Sequence, residues 1–168
     1  MIQSDQLRAN IIRPSLQSAG LWSVNAEELL LFTCAAETLG GSYVQQLGGP
    51  AAGIYQMEPN TYDDCWKNVI EKDGDLFFRL IRGCNFSNRP IFDDMVLNLK
   101  YATLMCRIQY LRFPESIPIA TDIEAIYKYY KKYWNSVLGS STEKGSMDSY
   151  YKVLGIKEVK NGKKKSSV

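Results

Sequence analysis

The chain contains no histidine, which excludes histidine-based metal sites and the Ser-His and Cys-His schemes of nucleophilic catalysis. It also has little net charge. Twenty Lys and Arg stand against 18 Asp and Glu, a balance of +2, too small to argue for a nucleic-acid partner. No apolar run approaches the ~18 residues of a spanning helix, so no membrane span is expected. The opening Met1-Ile2-Gln3-Ser4-Asp5 has neither the basic nor the long apolar stretch of a signal peptide. Cys34, Cys65, Cys84 and Cys106 lack metal-ligand spacing and lie in apolar, mostly helical settings, so they read as buried free thiols from a reducing compartment. There is no internal repeat. What is present, 168 residues at 45% hydrophobic and 23% charged, suits one domain with a sizeable core.

The periodicity predicts a mainly α fold. Leu7, Ile11, Ile12 and Leu16 give residues 3 to 18 a helical pattern that Pro14 should kink and Gly20 should stop. Ser23 starts a second helix that ends at Glu37, and Thr61 is the expected cap of a third carrying Trp66, Val69 and Ile70. Gly74 breaks that helix, and 76 to 81 form a short fourth. After a polar loop over 83 to 90, residues 91 to 111 read as one long core helix. Phe113 to Pro118 is an extended connector. Thr121 or Asp122 then caps a helix running to Asn135, and a last helix spans 142 to 154. Residues 1–155 form the domain. Residues 156–168, where Lys157, Lys160, Lys163, Lys164 and Lys165 face only Glu158, read as a basic, disordered tail.

Glu37 is the most informative residue. Glu27 and Glu28 are expected to face water in the first turn of its helix. Glu37 shares a helical face with Leu30, Thr33 and Cys34. Burial there, at the negative end of the helix dipole, should raise its pKa. A carboxyl group kept protonated near neutral pH is what a glycosidase needs as general acid. Gly40, Gly41, Gly48, Gly49, Pro50 and Gly53 then break helix structure six times in fourteen positions, among Ser42, Tyr43, Gln45 and Gln46. This predicts turns or a small hairpin near 42 to 58, with amides and aromatics beside the acid. That setting suits a polyhydroxylated ligand better than a metal or phosphate.

Glu37, the glycine-rich loop and Ala51-Ala52-Gly53-Ile54-Tyr55-Gln56-Met57-Glu58-Pro59 resemble the lysozyme-like superfamily of peptidoglycan glycosidases, especially lytic transglycosylases and goose-type or phage lysozymes. Ala51, Gly53, Gln56 and Pro59 match the family's Gly-Ala-x-Gly-Leu-Met-Gln-Ile-x-Pro pattern directly. Ile54, Tyr55 and Met57 match it as apolar equivalents. Tyr127 to Asn135 resembles the helix with a Tyr-Asn pair that lines the far side of the cleft. The run from Tyr133 through Gly139 and Thr142 is similar to a segment of phage-encoded members. The chain departs from the family where a serine or aspartate usually follows the acid; that place falls on Gln46 or Leu47.

The resemblance implies a lysozyme-like helical domain with at most a small β-hairpin beside the cleft. It implies cleavage of the β-1,4 bond between N-acetylmuramic acid and N-acetylglucosamine with no cofactor and no metal. Glu37 would be the general acid. Gln46, Tyr55, Gln56, Tyr130, Tyr133 and Asn135 would be substrate-binding candidates, Asn135 for the N-acetyl group. Tyr55 is equally a candidate for the core. Glu58, Asp63 and Asp64 are the nearby candidates for a second carboxylate, which an inverting hydrolase needs and a lytic transglycosylase does not. Asp63 and Asp64 otherwise suit the start of a helix. At helical spacing Tyr127, Tyr130 and Trp134 share a face, and Lys128, Lys131 and Lys132 read as solvated. The implied partners are peptidoglycan strands and other phage virion proteins. The implied locations are the host cytoplasm before release to the periplasm, as for an endolysin, or the virion. The competing reading is a catalytically silent structural virion protein that keeps the fold.

Overall fold

The structure, a computed structural model, describes residues 1–135 and 141–156. The basic tail from 157 onward, and residues 136–140 of the run similar to phage members, lie outside the described residues. What is described is mainly helical.

The first helical segment contains α1 (Ser4–Leu7), a π-helical turn at Arg8–Ile12 and α2 (Arg13–Ser18). Pro14, within the first turn of α2, cannot donate and crowds the carbonyl four residues before it. The expected kink therefore takes the form of a π turn. Gly20, at φ +67°, lets the chain turn after Ser18, with the Leu21 amide donating to Leu16 O at 2.8 Å.

Helix α3 (Val24–Thr38) begins at Ser23, whose hydroxyl accepts from the Ala26 amide at 3.0 Å. It is buried without a break from Ala26 to Ala35 and packs against the π turn and the later helices Leu99–Leu111, Ile123–Tyr130 and Glu143–Val153. A helix enclosed on all sides has no water-facing stripe, and this corrects the expectation for Glu27 and Glu28. They are only 4% and 9% exposed. The preceding segment brings arginines to meet them: Arg13 bonds Glu27 through Nε and Nη2, both at 2.8 Å, and Arg8 bonds both Glu28 oxygens at 2.7–2.8 Å. Trp22 Nε1 donates to Glu27 at 2.8 Å and the Tyr150 hydroxyl to Glu28 at 2.6 Å. Desolvation pushes Glu27 up, yet Arg13, Trp22 and Arg8 outweigh it and its pKa lies below the ordinary value.

Helix α4 (Pro59–Asn68) starts two residues before the expected Thr61 cap, with Glu58 at its N-cap and Pro59 in its first turn, where a missing N–H costs nothing. Asp63 and Asp64 consequently sit mid-helix and exposed, not at its start. A 3-10 turn at Ile70–Lys72 ends in Asp73, which caps α5 (Gly74–Gly83) by accepting from Leu76 N at 2.9 Å. Gly74 thus opens a helix.

The segment 91 to 111 is not continuous. It divides into α6 (Asp94–Leu97) and α7 (Leu99–Leu111) at Asn98. The Asn98 carboxamide accepts from Tyr101 N and donates to Cys84 O, both at 3.0 Å. A short side chain that bonds backbone in this way competes with helix propagation and caps the next helix. Asp122 caps α8 (Ile123–Tyr130), which runs into a second π turn at Lys131–Asn135. Thr142 caps α9 (Glu143–Val153). The π turn shifts Trp134 off the face predicted for it. Tyr127 and Tyr130 pack on Phe32, whereas Trp134 packs on Tyr110 beside Tyr129. All four cysteines are buried free thiols, and no helix among the described residues is long and apolar enough to cross a membrane.

Candidate functional site

Helix α3 ends one residue after Glu37. Leu39 and Gly40 take left-handed conformations at φ 51° and 66°. The Leu39 and Gly40 amides close back on Ala35 O and Cys34 O at 3.0 and 3.1 Å, a termination that satisfies the last carbonyls. Tyr43 then folds over the end of the helix, its hydroxyl donating to Glu37 O at 2.7 Å.

The expected hairpin appears as two isolated antiparallel bridges, Gln45 with Ala52 and Ala52 with Met57. Between the second pair, Gly53 to Gln56 form a tight turn. Gly53 stands at φ +75°, and a Cβ there would lie 3.1 Å from Ala102 Cβ and 3.2 Å from Met95 O, so a side chain would be both strained and crowded. Gln56 is also left-handed, at φ 52°, a costly region for a residue with a side chain. Its own amide holds it there, Nε2 donating to Gly53 O at 2.8 Å. The Thr38 hydroxyl lies 2.7 Å from Ile54 O and accepts from Gly41 N at 2.9 Å. One side chain thus ties the end of α3 to the turn and sets Gln56 beside Glu37.

Glu37, Tyr43, Gln46, Leu47 and Gln56 line an open cavity of about 380 Å³. Gln46 accepts from Ala51 N at 3.2 Å, which leaves its Nε2 to donate; Gln56 conversely offers its Oε1. Leu47 is 93% exposed at the loop tip. The wall therefore presents a hydrogen-bond donor, an acceptor, an aromatic ring and an apolar side chain around one carboxyl.

That carboxyl is partly buried, and Tyr130 donates to its Oε1 at 2.7 Å. Desolvation pushes its pKa up to about 6; hydrogen bonds from Tyr130 and Asn135 oppose the rise, the Glu58 charge adds to it and the Lys131 charge lowers it. Burial first, and then the Glu37 charge, push the Tyr130 phenol up as well, so it stays protonated and remains a donor.

The other sequence candidates divide. Tyr130 is fully buried; it holds the acid and does not line the cavity. Asn135 also reaches Glu37. Tyr55 is a core residue at 1% exposed, its hydroxyl paired with Thr103 Oγ1 at 3.2 Å. Tyr133 stacks on Phe113 with ring centroids 4.2 Å apart and donates to Glu115, which turns it to the 113–118 connector and away from the cavity. Glu58 is exposed but close enough for its charge to act on Glu37. Asp63 is exposed on α4 and does not line the cavity; Asp64 pairs with Arg112 at 2.9 Å. Lys128 and Lys132 are exposed and paired with Glu124 and Glu115. Lys131 corrects the solvated reading, being half-buried and bonded to Asn135 Oδ1 at 2.7 Å.

Tyr43, expected only as one of the loop residues beside the acid, proves to line the cavity. Sequence reasoning missed Leu47 as a cavity residue and Lys131 as part of the acid's surroundings. Nothing local marks Lys131. Among the described residues no group of three or more His, Cys, Asp or Glu could hold a metal ion. No protein-family model, curated protein or solved structure matches the chain.

Proposed function

We propose that this chain is a lysozyme-like glycosidase that cleaves the β-1,4 bond between N-acetylmuramic acid and N-acetylglucosamine in peptidoglycan, with Glu37 as its general acid. The observation that carries this reading is a carboxyl of pKa about 6 at the wall of an open cavity lined by two amides and an aromatic ring. A general acid works best when its pKa lies near the working pH.

The chemistry follows from the hydrogen bonds. Tyr130 occupies Oε1 of Glu37, so the proton to be transferred sits on Oε2. Protonation of the glycosidic oxygen by Oε2 lets the C1–O bond break toward an oxocarbenium-like state. The carboxylate left behind is the form that Tyr130 and Asn135 stabilise, so their bonds strengthen as charge develops. Gln46 and Gln56 suit sugar hydroxyl and N-acetyl groups, and Tyr43 and Leu47 suit the apolar faces of the rings.

Mass spectrometry of soluble products from purified peptidoglycan, wild type beside Glu37→Gln, tests the reading. Anhydro-muropeptides that vanish in the variant support a lytic transglycosylase, in which the substrate's own hydroxyl attacks. Reducing-end products that vanish support a hydrolase, with Glu58 as the carboxylate to examine for positioning water. Products that persist in a folded variant overturn Glu37 as the acid. No products from wild type overturn the glycosidase reading and favour the silent virion protein.

A further inference from the structure

We propose that Lys131 is a positioning residue that acts through Asn135, fixing the carboxamide so that its NH2 group, beside the Tyr130 hydroxyl, faces the Glu37 carboxyl. Lys131 and Asn135 open and close the π turn that follows α8, and such turns recur at functional sites. The Lys131 ammonium lies 2.7 Å from Asn135 Oδ1, 2.9 Å from Ser141 O and 3.5 Å from Ser141 Oγ. An ammonium only donates and a carboxylate only accepts. The Asn135 side chain also hydrogen-bonds Glu37, so just one orientation of the carboxamide satisfies both partners: oxygen to Lys131, NH2 to Glu37. The flipped amide would set NH2 against the ammonium and oxygen against the carboxylate. Lys131 therefore decides which end of Asn135 meets the acid.

The remaining groups near Glu37 leave this role to the lysine. Tyr130 of α8 supplies one donor, and the Tyr43 hydroxyl is engaged by the Glu37 backbone carbonyl. Cys34 on the same helix, and Cys106 and Tyr110 of α7, sense the Glu37 charge, but burial raises all three and keeps them neutral. Glu58 carries a like charge and opposes ionisation. Lys131 and Asn135 both favour the carboxylate, so losing the lysine removes a charge and unlocks the amide together.

The consequence for turnover rests on Glu37 being the acid, whereas the consequence for its titration does not. The experiment is a carbon-13 NMR titration of the Glu37 carboxyl in the full chain, for wild type, Lys131→Met, Asn135→Ala, the double variant and Lys131→Arg. Lys131→Met should raise the Glu37 midpoint by ~1 pH unit, and should raise it much less when Asn135 is already alanine. Lys131→Arg, which keeps charge and donors, should titrate close to wild type and controls for misfolding. Equal shifts with and without Asn135 would overturn the relay, and so would Lys131→Arg moving as far as Lys131→Met. If wild type cleaves no wall polymer but these midpoints move as stated, the glycosidase reading fails and the relay stands.

Discussion

The Tyr130 hydroxyl donates to Glu37 Oε1 at 2.7 Å from 93 residues further along the chain. The donor comes from α8, is fully buried and is braced by Phe32, a residue of the acid's own helix at 5.6 Å between ring centroids. This bond stabilises the carboxylate more than the acid and so holds the Glu37 pKa below where burial alone would put it.

Removing that donor makes the first prediction. Tyr130→Phe should raise the Glu37 pKa, because the hydrogen bond favours the charged form. A general acid loses activity as pH rises through its pKa, so the basic limb of the pH–activity profile should move up by roughly half a unit to one unit. A profile measured on purified peptidoglycan that moved downward would contradict this assignment.

Glu37 also couples stability to pH. Its folded pKa, about 6, is raised above 4.5, so the folded state holds this proton more tightly than the unfolded chain. The stability it contributes is complete below about pH 4.5 and is lost as pH rises through about 6. The loss amounts to about 2 kcal/mol. Glu37→Gln should therefore unfold in urea near wild type at pH 4 and be more stable by up to that amount at pH 8. Equal stability at pH 8 would show that Glu37 is well solvated.

Arg8 holds two buried carboxylates, Glu28 at 2.7 Å and Glu27 at 3.6 Å. Removing one partner of a buried ion pair leaves an uncompensated charge. Arg8→Met should destabilise by about 3 kcal/mol at pH 7, read from the urea midpoint. A change below ~1 kcal/mol would mean that Arg13, Trp22 and Tyr150 suffice.

Gly53 and Gly48 form a matched pair. Both are left-handed, at φ +75° and +74°, but a Cβ at Gly48 meets nothing within 4 Å while one at Gly53 meets Ala102 and Met95. Alanine at either position is strained, by ~1 kcal/mol. Gly53→Ala should cost more, with a Tm lowered on the order of 5 °C, and under the proposed glycosidase reading should also weaken glycan binding by moving Gln56. Equal Tm changes in the two variants would show that the Gly53 turn has room to shift.

Several local features could be read without the fold. Ser23 and Asp122 cap their helices as expected, and Thr142, expected as the first residue of the last helix, caps it, since capping needs only a short polar side chain and amides three residues on. The glycines after Glu37 produce the expected turns for an equally local reason. Asn98 escaped notice because the apolar periodicity runs through it on both sides, and its capping role depends on a bond to Cys84 O across a loop.

The sequence by itself determined that Glu37 shares an apolar face, that its helix gives way to a polar turn, and that histidine chemistry is absent. Helical periodicity and composition are properties of neighbours in the chain, and those suffice for such statements. The tertiary structure decided which groups meet. It buried Glu27 and Glu28 against Arg8 and Arg13, put Tyr55 in the core, turned Tyr133 to Glu115, and brought Tyr130, Asn135 and Lys131 to the acid. The physical reason is that a charge or donor takes its chemistry from whatever lies within a few ångströms. In this chain those neighbours come from distant helices, with two π turns shifting the side-chain register that a regular helix would have kept.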